Sequence, residues 1–133
     1  MKFSTRTTYG LRAMIKLAKC YNQDSVSIAN IAKEENISPK YLERLFAALK
    51  KVDLITSEKG ASGGYRLSKK PEEIKIYDIV KALEGEMNPF HCVGANGEVT
   101  CSKKCDCGAT SILIKVQRAI NSTLQSMKLS DLL

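Results

Sequence analysis

The chain lacks any apolar run near the roughly 20 residues that cross a bilayer. Its first stretch, MKFSTRTTYGLRAMIKLAK, is broken by Arg6, Arg12, Lys16 and Lys19, which leaves no apolar centre for a secretory signal. No membrane partner is expected, and a cytoplasmic location is. Histidine is nearly absent, with His91 alone, and Ser, His and Asp fall into no nucleophile arrangement. The glycines of KGASGG lack the spacing of a phosphate-binding loop. An enzyme is therefore the least supported reading, and no catalytic residue is assigned. Cysteine is also scarce, with five in 133 residues, yet four of them lie between positions 92 and 107.

Acidic residues number 14 against 21 basic ones, and the imbalance is local. Residues 1–85 carry 16 Lys and Arg against 10 Asp and Glu, whereas residues 86–133 carry 5 against 4. A positive excess on one part of the chain suits an anionic partner, with nucleic acid the leading candidate. A composition 44% hydrophobic and 26% charged is that of a globular protein.

Apolar spacing predicts a first helix over 4–21, with Tyr9, Ala13, Leu17 and Tyr21 in one row. Ser27 is placed to cap a short second helix, IANIAKEEN. Ser38 caps a third, with Pro39 at its first position, where a missing N–H costs nothing. Leu42, Leu45, Phe46 and Leu49 give that helix one buried face; Lys40, Tyr41, Glu43 and Arg44 occupy the other. Two short helices with hydrogen-bonding groups at the start of the second match a helix-turn-helix. DLITSEKGASGGYRL then reads as a β-hairpin with a glycine-rich tip, placed as a wing, with Lys59 and Arg66 for charge and Gly60 for close backbone approach. Pro71 opens a further helix whose buried face is Ile76, Ile79, Val80 and Leu83, and Gly85 stops it. Residues 86–108 read as a structureless loop. The last segment forms a long helix with Leu113, Val116, Ile120 and Met127 at heptad-like spacing, widened by Ile112 and Leu124. Part of that face is assigned to a twofold partner, because the small N-terminal unit cannot cover it all. The expected fold is mainly α with a small β-hairpin. Residues 1–85 form a winged helix-turn-helix domain, 86–108 the cysteine loop, and 109–133 a dimerisation helix and tail.

The four loop cysteines, Cys92, Cys101, Cys105 and Cys107, are spaced C-x8-C-x3-C-x-C, unlike the paired CxxC of a zinc ribbon. Thiolate-only sites suit zinc, cuprous copper or iron–sulfur clusters, and four ligands would close a [2Fe–2S] or [4Fe–4S] site. Lys103 and Lys104 between them favour thiolates. The plainer readings are free thiols or an oxidisable pair acting as a thiol switch. His91 is a possible auxiliary ligand, and Cys20 is most simply a small buried hydrophobe.

Taken together, STRTTYGLRAMIKLA, IAKEENISPKYLERLFAALKKVDLI, KGASGGYRL, IYDIVKALEG and the closing LSDLL resemble the Rrf-type winged-helix transcription regulators, over nearly the whole chain. The resemblance is to the iron–sulfur-binding branch of that family. It implies a homodimer with crossing C-terminal helices, one winged helix per half-site of a palindromic operator, and a cluster on loop cysteines that alters DNA binding. By position, Cys92, Cys101 and Cys107 match the family's three ligands, and Cys105 is extra. Lys59 stands where many relatives have arginine. An acidic fourth ligand from the first helix is missing, since Thr8 and Arg12 stand there; a later histidine is replaced by Thr110. Cys105 is the candidate substitute. The resemblance thus implies a transcription regulator sensing redox state, nitric oxide or iron–sulfur status. A cluster-free regulator controlled by thiols or a partner protein is the alternative, and a small electron-transfer protein a distant third.

Overall fold

The computed structural model describes residues 3–60, 63–87, 90, 92–100 and 107–133. Three helices lead: α1 (Thr5–Lys19), α2 (Ile28–Glu35) and α3 (Pro39–Lys51). An antiparallel pair follows, β1 (Ile55–Glu58) and β2 (Gly64–Leu67), in the register Ile55 opposite Leu67 and Glu58 opposite Gly64. Then come α4 (Ile76–Glu84) and α5 (Gly108–Ser126), with single 3-10 turns at Pro71–Glu73 and Leu129–Leu132. This is the mainly helical winged helix-turn-helix read from the sequence. Among the described residues no helix is long and apolar enough to cross a membrane.

The predicted apolar rows converge on one core. Met14, Leu17, Ile31, Leu42, Phe46, Leu49, Ile55, Ile79 and Val80 are at most 2% exposed, so α1, α2, α3, β1 and α4 share it. Phe46 is central: Tyr65 of β2 meets its ring edge-on at 4.8 Å, which ties the wing to the third helix. Truncating such a ring costs about 3–5 kcal/mol.

One expectation is corrected. Pro71 does not open the fourth helix. It begins one 3-10 turn, Ile74 and Lys75 are extended, and α4 starts at Ile76. The reason is distant in sequence. Lys75 bridges Lys128, with Ile76 N–H donating to Met127 O at 3.0 Å and Leu129 N–H to Ile74 O at 2.9 Å. That pairing seats Leu129, with no exposed surface, in the core. The apolar face of α5 divides. Ile120, Leu124 and Met127 pack on the core, whereas Ile112 is 65% exposed and Val116 36%.

α1 is anchored at its N-terminus by the last residue of α4. The Glu84 carboxylate accepts hydrogen bonds from the Ser4 N–H at 2.9 Å, from Ser4 Oγ at 2.6 Å, and from the hydroxyl of buried Thr7. A negative group here meets the positive end of the helix dipole. Partial burial works against its charge, but the bonds from Ser4 and Thr7 outweigh it and hold the carboxyl below its usual pKa.

Candidate nucleic-acid interface and cysteine loop

The helix-turn-helix is made locally, by caps. Ser27 Oγ accepts from Asn30 N–H at 3.1 Å to start α2. Asn36 ends it in the left-handed conformation, φ 53° and ψ 49°, and Ile37 N–H returns to Ala32 O at 2.9 Å. Ser38 Oγ then accepts from Tyr41 N–H at 3.4 Å, and Pro39 opens α3. With Leu42, Leu45, Phe46 and Leu49 buried, the opposite face of α3 is turned to solvent.

On that face Ser38, Lys40, Glu43 and Arg44 are exposed. Neither Lys40, Glu43 nor Arg44 has a side-chain hydrogen-bond or ion-pair partner among the described residues. Tyr41 differs. It is half-buried, its ring edge-on to Tyr9 at 5.9 Å and its hydroxyl 3.4 Å from Thr5 Oγ1, so α1 fixes its position. The predicted set is thus three unengaged charged side chains flanked by a cap and a docked ring.

The wing is held by a pairing that sequence reasoning missed. Val26 and Tyr65 exchange N–H···O bonds of 2.9 and 2.8 Å, so the residue before the α2 N-cap extends the hairpin. Gly64 allows it: a Cβ there would lie 2.3 Å from Val26 O. One isolated bridge residue carries no strand signal in sequence. Arg66, expected to supply charge, is exposed but already partnered. It pairs with Glu58 at 3.0 Å and donates to Gln23 O at 3.2 Å. Lys50 Nζ joins α3 to the wing through Ser57 Oγ at 2.7 Å. Lys59 remains exposed and unpaired among the described residues, beside Gly60 at φ 116°. Such a φ favours glycine.

The described part of the cysteine loop holds no helix or strand element, as expected, but residues 92–100 close on themselves through backbone bonds. Val93 bridges Val99, Thr100 N–H donates to Cys92 O at 3.1 Å, and Gly94 N–H to Glu98 O at 2.7 Å. Gly97, at φ 80°, makes the turn. Val93, 1% exposed, points inward, and Cys92 is a half-buried free thiol. Cys107 is the N-cap residue of α5 and is likewise free. Its sulfur makes no cap bond as a thiol. The hydroxyl and N–H of Thr110, and then the Ala109 N–H, favour its thiolate and bring its pKa below the usual value. Cys101 and Cys105, with His91, Lys103 and Lys104, lie outside the described residues. Among the described residues no three His, Cys, Asp or Glu side chains converge.

Five further positions can be placed. Thr8 is exposed on α1, and Arg12 is committed to Glu35, 2.8 Å from its carboxylate and 2.8 Å from its carbonyl. Cys20, expected in the core, closes α1 as a half-buried free thiol. Gln117 of α5, which no periodicity singled out, is 1% exposed and donates to Met87 O and, at 3.4 Å, to Ala95 O. Asn121 Nδ2 reaches the same Ala95 oxygen at 3.3 Å.

Comparison with known proteins agrees with this architecture. Residues 3–133 match the Rrf2 family profile, described as an iron-dependent transcriptional regulator. The chain is 38% identical to Protein rrf2 of Nitratidesulfovibrio vulgaris, covering 100% of this chain and 87% of that one. The solved structure of T. potens IscR superposes with a TM-score of 0.78 at 35% identity, covering 99% and 85% of the two chains. CymR of B. subtilis, described as its global cysteine regulator, superposes with a TM-score of 0.81 at 34% identity, covering 99% and 95%.

Proposed function

The chain belongs to the Rrf2 family of transcriptional regulators, and from that premise we propose a cytoplasmic homodimer that reads a palindromic operator and answers to an iron–sulfur cluster on its cysteine loop. The observation that carries the DNA half is the unengaged face of α3 beside the wing tip. Ser38, Lys40, Tyr41, Glu43 and Arg44 enter the major groove, and Lys59 and Gly60 follow the sugar–phosphate backbone. Arg44 suits a guanine edge, which a guanidinium can grip with two donors. Two such heads, a helical turn apart, match two half-sites. Ile112 and Val116, apolar and exposed on α5, supply the contact between subunits.

The residues around the loop fit the sensing half. Cys92 and Cys107 are free thiols, and the donors at the start of α5 favour the thiolate that a soft metal takes. Cys101 and Cys105 complete a four-thiolate set. When bound, a cluster supplies reversible electron transfer and a target for oxygen, nitric oxide or iron supply. The protein's part is to position the thiols and to carry the change into α5. A cluster-free regulator working through thiol oxidation or a partner protein is the alternative, favoured by the likeness to the B. subtilis cysteine regulator.

The test uses protein purified without oxygen, by visible absorption and by iron, sulfide and zinc assay. Brown protein with matched iron and sulfide, and an altered operator affinity on cluster loss, supports the proposal. Colourless protein that takes up no cluster on reconstitution refutes the cluster and leaves the thiol switch. Stoichiometric zinc makes the loop structural.

A further inference from the structure

We infer that Gln117 is a positioning residue, clamping the cysteine loop to α5 at two places so that the state of Cys92 is felt by that helix. The sensing consequence rests on the reading above; the clamp itself does not. Gln117 lies ten residues beyond Cys107, about 15 Å along the helix at 1.5 Å per residue. Its amide has two N–H donors, and each meets a backbone carbonyl of the loop, Met87 O at the entry and Ala95 O in the hairpin. Cys92 sits between those two anchored residues. Turning the amide over would set its oxygen against both carbonyls, so its orientation is fixed. Asn121, one turn further on, adds a second donor to Ala95 O at 3.3 Å.

Helix packing alone does not account for a glutamine here. Its Oε1 is buried with no hydrogen-bond partner among the described residues, a loss that an apolar side chain of the same length would avoid. What the amide gains is the loop. Cys107, the N-cap residue of the same helix, joins the segment to α5 through the backbone, so the segment is held at its entry, middle and exit. A change that draws Cys92 toward Cys107, or releases it, therefore pulls on α5 across its first three turns.

The test starts from metal-free, reduced, full-length protein. Gln117→Met keeps the reach and bulk of the side chain and removes both donors. Iodoacetamide labelling resolved by mass spectrometry reads Cys92, with Cys20 on α1 as the internal reference. Labelling of Cys92 should rise at least fivefold, with Cys20 unchanged and faster amide exchange confined to 93–100. Asn121→Ala, which removes one bond only, should give a smaller rise, and it serves if Gln117→Met does not fold. Cys92 labelling within twofold of wild type in both variants overturns the clamp, as does an equal rise at Cys20. In cluster-loaded protein of equal iron and sulfide content, Gln117→Met should shrink the ratio of loaded to metal-free operator affinity at least fivefold. An unchanged ratio overturns the positioning role. A wild type that takes up no cluster refutes the sensing proposal, and the labelling result then decides the clamp on its own.

Discussion

Replacing Glu84 tests how the two ends of the DNA-binding unit are joined. Its carboxylate takes three hydrogen bonds from the start of α1, two from Ser4 and one from Thr7. In Glu84→Ala the Ser4 donors turn to water, but Thr7 is only 8% exposed, and its stranded hydroxyl costs about 1–3 kcal/mol. Losing a negative group at the helix start adds about 0.3–1 kcal/mol. The total is about 1–4 kcal/mol, or roughly 4–16 °C in Tm for a chain of this size. Glu84→Gln keeps an acceptor and loses only the charge, about 1 kcal/mol. The sign with pH follows from the depressed carboxyl pKa of the folded state. Its contribution is complete above the unfolded value near 4.3, as typical for Glu, and is lost as pH falls through the folded value. Urea unfolding at fixed protein concentration, at pH 7 and stepwise to pH 3, measures both. The gap between wild type and Glu84→Gln should close in acid. No gap at pH 7, or a gap that persists unchanged in acid, would refute the carboxylate as the cap.

Three further outcomes concern the proposed DNA interface. Gly64→Ala places a methyl 2.3 Å from Val26 O, so the Val26–Tyr65 pair must part; unfolding should show a loss of roughly 2–3 kcal/mol, with weaker operator binding. Arg44→Ala should flatten discrimination between operator variants by about 1–3 kcal/mol, read by competition binding. Lys59→Ala should weaken all sequences alike and reduce the slope of log affinity against log salt by about one; an unmoved affinity and slope would remove the wing tip from the interface.

The parts legible in sequence are those fixed by neighbours a few residues away. The caps at Ser27 and Ser38, Pro39 at the start of α3, and its buried Leu42, Leu45, Phe46 and Leu49 all depend on local spacing. The illegible parts depend on partners far along the chain. Ile74 and Lys75 leave the helical path where Leu129 N–H bonds Ile74 O and Lys75 bridges Lys128. Arg66 is as basic as Lys59, but only the fold brings Gln23 and Glu58 to it. Gln117 sits among apolar neighbours as an ordinary polar helix residue until two loop carbonyls arrive. The candidate DNA face was visible because it is what the buried rows leave over. The loop's anchorage was not, since no pattern in 86–108 refers to α5.

The pinned tail of α5 has a thermodynamic consequence. Leu129 fixes the far end of the helix to the core and Gln117 fixes its middle, so Gly108–Val116 is the stretch left to respond at the cysteine end. Ile112 and Val116, the exposed apolar residues of α5, lie in that same stretch. In the proposed dimer, occupancy of the thiols and association through these side chains would act on one segment. By linkage they are reciprocal: whatever factor a filled thiol site adds to pairing, pairing adds to the affinity of that site. Under that proposal protein concentration becomes an input to sensing, and dilution alone should shift the set point.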